Sequence, residues 1–126
     1  MNPSQLAQSF STGDFEPVFP FLSDTVLWTV IGSESFSGKD AVVENCRQVA
    51  GYFRSVTTRF AVIRVIEGTD SVVVTGTATF IRPDKRLSFF HACDVYVFSP
   101  EGRVEEIRSY CIEDKKEAER MVESER

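Results

Sequence analysis

The sequence predicts a single α+β domain in which helices pack on one face of an antiparallel sheet. Two observations predict this fold class in a chain of 126 residues. Helical patterns occupy the first part of the chain, and a meander of long strands occupies the second part. The sequence has no internal repeat and no linker, so its length fits one compact domain.

The predicted helices lie in the first 54 residues. Residues 3–22 have a helical pattern in two pieces, because Asn2-Pro3 or Ser4 can start a helix and the segment 11–14 ends it and caps a second one. Two prolines keep that second piece short. A longer helix is expected over about 39–54, where apolar residues repeat every 3.6 positions at Val42, Val43, Cys46, Val49, Ala50 and Phe53.

The strand predictions rest on runs of β-branched and aromatic residues bounded by turn residues. The first run covers 25–31 and ends at Gly32, and a loop over 33–37 follows it. Four more strands, separated by turns rich in Gly, Pro and Asp, are predicted at 59–66, 72–81, 87–98 and 104–112. The domain is expected to cover 1–114, and the charged segment 115–126 is expected to be a frayed solvated helix or a disordered tail.

The composition argues against several classes of function. A net charge of −5 and a pI near 4.9 disfavour nucleic acid, which needs a basic surface. We find no basic amphipathic helix, no apolar run of about 20 residues and no signal peptide, so we expect no membrane association and a cytoplasmic location. The three cysteines lack CxxC spacing and are expected to be buried reduced thiols, with no metal or cofactor site indicated.

Asp94 lies in the middle of the predicted strand 87–98. Aspartate is a poor strand former and is rarely buried without a partner, so its position needs an explanation. If the following turn pairs Phe98 with Arg103, Asp94 lies opposite Ile107. The same face then contains the pairs Ala92–Ser109 and Phe90–Cys111, and the preceding hairpin adds Val74, Gly76, Ala78 and Phe80. The small side chains of this face predict a cavity beside Asp94.

The opposite face of the predicted sheet contains His91, which the same pairing places beside Tyr110. Large apolar groups mixed with charges are typical of a protein–protein surface, so we expect a homodimer through this outer face. We interpret His91 as a hydrogen-bonded histidine at a subunit contact rather than as a general base. That interpretation also disfavours nucleophilic catalysis by a Ser–His or Cys–His pair. The sequence leaves the facing of Arg64 open.

The order of elements is similar to that of a known superfamily. Three stretches carry the similarity: the segment GDFEPVFPFLSDTVLW, the loop ending in Ser37-Gly38-Lys39 before a helix, and the ending DVYVFSPEGRVEEIRSY. They resemble the nuclear transport factor two-like superfamily, and within it the SnoaL-like and ketosteroid isomerase-like branch, over about residues 3–114. The resemblance implies a conical barrel in which a curved antiparallel sheet wraps around N-terminal helices and leaves a central apolar pocket. It also implies a dimer through the outer face of the sheet.

The resemblance implies a role for Asp94 as well. This residue matches the aspartic acid of ketosteroid isomerases that stays protonated in an apolar site and donates a hydrogen bond to a developing oxyanion. Other isomerase positions differ in this chain. Leu6 stands in place of the tyrosine of the first helix, Thr29 or Val30 in place of the general base, and Cys111 in place of an aromatic residue. Steroid isomerisation by that mechanism is therefore not expected.

Two functions follow as hypotheses. The first is a pocket protein resembling SnoaL-like polyketide cyclases and ketosteroid isomerases, which binds a small apolar ligand with a carbonyl or hydroxyl aimed at Asp94. As an enzyme it would perform acid/base isomerisation, cyclisation or dehydration without a cofactor. The second is a non-catalytic ligand-binding or dimerisation domain in which Asp94 only bonds a neighbouring group. Asp94 is the expected catalytic residue, and the expected ligand-binding residues are Trp28, Tyr52, Phe90, Asp94 and Cys111.

Overall fold

A computed structural model describes residues 1–124 of the chain. Its helices are α1 (Pro3–Ser11), α2 (Lys39–Ser55) and α3 (Lys115–Ser124), and a short 3-10 helix covers Glu16–Phe21. The strands are β1 (Leu22–Val30), β2 (Ser35–Ser37), β3 (Thr57–Glu67), β4 (Ser71–Ile81), β5 (Leu87–Phe98) and β6 (Val104–Glu113). The predicted helices and long strands are thus confirmed to within a few residues at their ends.

The first helix begins with a capping box. The Asn2 side chain accepts a hydrogen bond from the backbone N–H of Gln5 at 2.8 Å, and the Gln5 side chain accepts one from the Asn2 N–H at 2.9 Å. These two bonds satisfy donors that a helix start otherwise leaves free. The inward stripe of α1 consists of Leu6, Ala7 and Phe10, which are all buried. The capping box and this stripe together fix how α1 lies on the sheet.

The six strands form one sheet in the order β2-β1-β6-β5-β4-β3. The sheet is curved and does not close, and α1 and α2 lie against its concave face. Neighbouring strands are antiparallel except β1 and β6, which run parallel. The α+β prediction is confirmed. The short strand β2 was expected to be a loop. It pairs with Leu27, Trp28 and Thr29 of β1, and a strand of three residues is too short to carry a periodic signal.

The pairing of β5 with β6 differs from the predicted register by two residues. Asp94 lies opposite Ser109 instead of Ile107, and Cys111 lies opposite Ala92 instead of Phe90. The predicted register of β4 and β5 is confirmed over the whole hairpin. Because side chains alternate with a period of two, a shift by two leaves residues 106–112 of β6 on their predicted faces. Val104 is the exception, because it precedes the second of the two shifts. The predicted register pairs it with Val97 on the outer face, whereas it lies opposite Phe98 and is buried in the core.

Two local features of the β5–β6 hairpin cause this shift. At the turn, the Ser99 N–H donates to the Arg103 carbonyl at 2.8 Å, so the loop is one residue shorter than expected. Gly102 adopts a φ of +82° there, a conformation that suits glycine and closes a three-residue loop. Beyond the turn, a β-bulge at Glu105 adds a second residue to β6.

The hydrophobic core lies between the helices and the concave face of the sheet. Its largest fully buried side chains include Tyr96, Leu6, Leu22 and Ile107. The helix α2 contributes Val42 and Cys46, the two members of its apolar stripe that are fully buried. Two other members of the stripe, Val49 and Phe53, are partly buried because they border an open space between α2 and the sheet.

The charged segment after β6 forms α3. The side chain of Asp114 caps it by accepting a hydrogen bond from the Glu117 N–H at 3.0 Å, and Ala118 is buried. Residues 125–126 of the segment expected to be a frayed helix or tail lie outside the described residues. Over residues 1–124 we find no helix with the length and apolar character needed to span a bilayer.

Candidate active site

A cavity of about 280 Å³ lies between α1, α2 and the concave face of the sheet. Its walls are largely apolar, with aromatic side chains from Phe10, Phe15, Trp28, Phe53, Phe60, Phe80 and Phe90. The small residues Gly76, Ala78 and Ala92 line its floor, as the strand pattern predicted. The volume is close to the lower end of the range for small-molecule sites, roughly 300–1,000 Å³.

The polar lining of this cavity is sparse and centres on Asp94. The side chain of Asp94 reaches the cavity from β5, and the residue is only 9% exposed. Ser11, at the end of α1, donates a hydrogen bond to Asp94 Oδ2 at 2.8 Å. The same serine oxygen lies 2.6 Å from the phenol oxygen of Tyr96. The carboxyl group therefore has a protein partner on its helix side while it borders open space.

A second hydroxyl approaches Asp94 from β6. Ser109 is the residue directly opposite Asp94, and it is also buried. The indole Nε1 of Trp28 donates a hydrogen bond to Ser109 Oγ at 3.0 Å. Trp28 packs edge-on against Phe10, with ring centroids 5.0 Å apart. The indole thus supplies part of the apolar wall and holds a hydroxyl next to the carboxyl group.

Burial decides the protonation of this carboxyl group. Desolvation raises the pKa of Asp94 above its ordinary value, and hydrogen bonds from Ser109 and Ser11 lower it by a smaller amount. Burial and the nearby Asp94 charge also raise the pKa of Tyr96 well above its usual range. A carboxyl group with a raised pKa can give or take a proton near neutral pH more readily than an exposed aspartate can.

Four of the five predicted ligand-binding residues line the cavity: Trp28, Phe90, Asp94 and Cys111. The fifth, Tyr52, is not a lining residue. It is 46% exposed on α2, and its ring packs at 5.7 Å from that of Phe80, because its position on the helix points it past the cavity rather than into it.

The positions that differ from ketosteroid isomerases have different surroundings. Leu6 is 2% exposed and belongs to the core, away from the cavity lining. Of the two candidates for the general-base position, Val30 lines the cavity and Thr29 does not. Neither side chain can accept a proton. Asp94 is therefore the carboxyl group available in the lining of this cavity.

Sequence reasoning missed two polar members of the site, Ser11 and Tyr96. Tyr96 follows Asp94 by two positions on one strand, so the alternation of the strand was a sufficient signal that both face inward. No local signal identifies Ser11, because it comes from a helix 83 residues earlier in the chain. The cavity also contains Asn45 of α2, whose side-chain amide makes no hydrogen bond within the described residues.

The outer face of the sheet contains His91, as predicted, but with other neighbours. His91 lies opposite Ile112, and Tyr110 lies opposite Cys93, because of the shift of β6. The Nε2 atom of His91 is 2.8 Å from Asp114 Oδ2, and this hydrogen bond helps to lower the pKa of Asp114. His91 is thus hydrogen-bonded, and it lies on the opposite side of the sheet from the cavity.

Arg64 can now be placed as well. It pairs with Thr75 and therefore points away from the cavity, on the same outer face. In the part of the chain that the structure describes, no three His, Cys, Asp or Glu side chains lie close enough together to hold a metal ion.

Comparison with known proteins agrees with this fold. A sequence model of the SnoaL-like domain matches residues 4–107. No curated protein sequence matches the chain. Among solved structures, an NTF2-like protein of unknown function from Cytophaga hutchinsonii has a TM-score of 0.79 and 28% identity, covering 86% of this chain and 94% of that one.

Two enzymes share the fold at lower identity. An LEH-like epoxide hydrolase from M. tuberculosis has a TM-score of 0.69 and 19% identity, covering 87% of this chain and 82% of its own. SalBIII, an epoxide hydrolase/cyclase-like enzyme of pyran ring formation in the polyether salinomycin, has a TM-score of 0.67 and 17% identity, with coverages of 86% and 85%. The family model spans most of the sequence, and the curved sheet with its helices matches the fold of these structures. The chain belongs to the SnoaL-like domain family, within the nuclear transport factor two-like superfamily.

Proposed function

We propose that this protein binds a small, neutral, mostly apolar molecule in the cavity and acts on it by acid/base chemistry at Asp94, without a cofactor. The observation that supports the proposal is a single carboxyl group, mostly buried, at the edge of an apolar cavity. Isomerisation, cyclisation and dehydration all need a proton to be moved at a carbon or oxygen atom, which such a group can do.

The charges around the cavity favour a neutral ligand. No Lys, Arg or His is among the residues that line it. One neighbouring groove shares Val30 and Asn45 with the cavity and contains Glu34 and Glu44. In a second groove, Arg47 and Arg54 are balanced by two carboxylates of its own. A carboxylate ligand would lose its hydration without gaining a cationic partner, which is costly in an apolar site. A ketone, lactone or alcohol meets no such penalty, and its oxygen can bond to Asp94.

A thermal-shift experiment tests the binding step. We would compare small cyclic ketones and lactones with carboxylic acids of the same size, on the wild type and on Asp94→Asn. A ligand at a hundredfold excess over its Kd adds about 2.7 kcal/mol to the stability of the native state. We expect stabilisation of the wild type by neutral compounds, weaker stabilisation of Asp94→Asn, and no effect of the acids. Equal stabilisation of both proteins would show that Asp94 does not contribute to ligand binding.

Hydrogen exchange into the ligand tests the catalytic step. A ketone that binds is incubated with the protein in D2O, and deuterium at its α-carbon is followed by NMR. The wild type should exchange the α-hydrogen faster than buffer does, and Asp94→Asn should lose about 10²-fold or more of this activity, as is usual for a general acid or base. If the wild type binds the ketone but does not exchange its α-hydrogen, the protein is a non-catalytic ligand-binding domain, which was the alternative expected from the sequence.

We also propose that a second copy of the chain covers the outer face of the sheet. This face exposes Ile66, Tyr110 and Ile112, at 51%, 37% and 67%. Glu106 and Arg108 precede Tyr110 and Ile112 on the same face of β6, so a twofold contact can bring each charge opposite its counterpart. The three free thiols fit the reducing cytoplasm, which we propose as the compartment.

Light scattering tests the dimer. The wild type should have the mass of two chains at micromolar concentration, and Ile112→Glu should have the mass of one. Tyr52→Glu is the matched control, because Tyr52 is similarly exposed but lies on α2, against the concave face. A monomeric wild type would contradict this part of the proposal.

A further inference from the structure

The hydroxyl of Ser11 lies between two buried groups. It donates to Asp94 Oδ2 at 2.8 Å, so its single hydrogen is already used. Tyr96 is 1% exposed, and within residues 1–124 Ser11 is the hydrogen-bond partner of its phenol. A buried phenol hydrogen needs an acceptor. Tyr96 therefore donates to Ser11, and the hydrogen bonds run in one direction, from Tyr96 through Ser11 to Asp94.

Ser109 lies directly opposite Asp94 on β6 and is held by a different donor. The indole N–H of Trp28 can only donate, so Ser109 Oγ is its acceptor at 3.0 Å. The Ser109 hydroxyl helps to lower the pKa of Asp94, as Ser11 does. Among the described residues, the hydrogen bond to a defined oxygen of Asp94 is the one that Ser11 donates to Oδ2.

We propose that Ser11 and Tyr96 are positioning residues that keep Asp94 Oδ2 a hydrogen-bond acceptor, so that the proton which Asp94 exchanges with a ligand is carried on Oδ1. This inference rests on the proposed function for its use. If Oδ2 carried the proton, Ser11 would have to accept from it and turn its own hydrogen to Tyr96. The phenol hydrogen would then have no acceptor in a buried site. The arrangement therefore selects which oxygen of Asp94 is protonated.

The surroundings of Asp94 contain few other groups that titrate. Its own strand contributes Cys93 and Tyr96, and β6 contributes Cys111. The pKa of each is raised by burial and by the Asp94 charge, so all three stay neutral while Asp94 titrates. The helices α1 and α2 and the strands β1, β3 and β4 bring no charged side chain to the cavity lining. A titration of Asp94 therefore reports mainly on its hydroxyl partners.

The test is a pH titration of the Asp94 side-chain carboxyl carbon by NMR in the ligand-free protein, assigned with Asp94→Asn. Tyr96→Phe frees Ser11 to accept a hydrogen bond from the neutral acid. This substitution should raise the proton affinity of Asp94 by more than about twofold. A twofold change corresponds to the smallest interaction free energies measured between residues of one hydrogen-bond network. Ser11→Ala removes a donor to the carboxylate and should raise the affinity as well. Tyr96→Phe in the Ser11→Ala background should then have no further effect.

Tyr110→Phe is the matched control, because Tyr110 lies on the outer face and should leave the Asp94 titration unchanged. Unchanged proton affinity in Tyr96→Phe, or an equal increase with and without Ser11, overturns the inference. If Tyr96→Phe does not fold, unchanged proton affinity in Ser11→Ala overturns it by itself. The titration needs no ligand, so failure of the ligand screen and failure of this inference are distinguishable.

Discussion

Ser11 Oγ lies 2.8 Å from Asp94 Oδ2, and this hydrogen bond joins the end of the first helix to the middle of the fifth strand. It links two residues 83 positions apart across the rim of the cavity. The bond favours the ionised carboxyl group, while burial of the same group disfavours it and has the larger effect. Asp94 therefore costs the protein stability whenever it is ionised, and this cost has a measurable pH dependence.

We expect Asp94→Asn to be more stable than the wild type at pH 8 and to lose this advantage towards pH 4. The folded-state pKa is raised, so the native state holds its proton over a range in which the unfolded chain has lost it. The free energy of unfolding of the wild type therefore falls as pH rises from about 3.8 to the folded-state pKa of Asp94. Melting curves from pH 4 to 8 measure the difference. Asp24→Asn, an exposed aspartate on β1, should show no such trend, and a flat difference for Asp94→Asn would contradict the expectation.

Gly76 is required by close approach of β3. A Cβ atom at this position would lie 2.4 Å from the Ala61 carbonyl oxygen, next to the β3 bulge. We expect Gly76→Ala to destabilise the protein by about 1–3 kcal/mol, as overpacked positions do. Gly51→Ala in α2 is the contrasting variant, since its Cβ meets only the end of Arg54 at 3.9 Å. It should stabilise the protein by about 0.4–1 kcal/mol. Urea unfolding measures both, and equal effects would be inconsistent with this packing.

Filling the cavity should weaken ligand binding with little loss of stability. Ala92 lines the cavity, and its neighbour Cys93 points to the opposite face of the sheet. We expect Ala92→Leu to weaken binding of any stabilising ketone at least about tenfold, which is about 1.4 kcal/mol. Cys93→Leu should leave the affinity unchanged. Calorimetric titration of both variants decides the matter, and a similar loss in Cys93→Leu would mean that the ligand binds elsewhere.

The cysteines should react in a defined order. Burial raises the pKa of Cys46 to about 12, and this residue has no exposed surface. Cys111 has exposed surface at the cavity wall, although burial of its thiol and the Asp94 charge raise its pKa as well. At pH 8 we expect iodoacetamide to modify Cys111 at least about tenfold faster than Cys46, because a thiol reacts as its accessible thiolate. Peptide mapping by mass spectrometry gives the rates. A bound ligand should slow the modification of Cys111 and of no other cysteine. In Cys111→Ser, only slow modification of Cys93 and Cys46 should remain.

Much of the fold could be predicted from local patterns. The 3.6-residue repeat of α2 and the alternation of β4 and β5 are properties of short segments, so the residues themselves contain the signal. The alternation also placed Phe90, Ala92 and Asp94 on one face and His91 on the other. Ile107, Ser109 and Cys111 of β6 also lie on the predicted face despite a register error of two residues, because the error equals the strand period.

The hydrogen-bond partners of Asp94 could not be predicted in this way. The turn at Gly102 and the bulge at Glu105 each move β6 by one residue, and only together do they bring Ser109 opposite Asp94. Neither feature leaves a periodic trace in the sequence. The position of Tyr52 could not be predicted either. A change of one residue along α2 separates Tyr52, which lies beside the cavity, from Phe53, which lines it.

Local patterns are enough to predict the fold class, the two faces of the sheet and one carboxyl group on the concave side. These properties follow from the spacing of apolar residues along the chain, which is a local quantity. The groups that contact this carboxyl group come from the packing of distant segments. Ser11 meets both Asp94 and Tyr96 because α1 packs across β5, and a contact between distant segments depends on the packing of the whole domain. The chemistry available at Asp94 is set by those contacts.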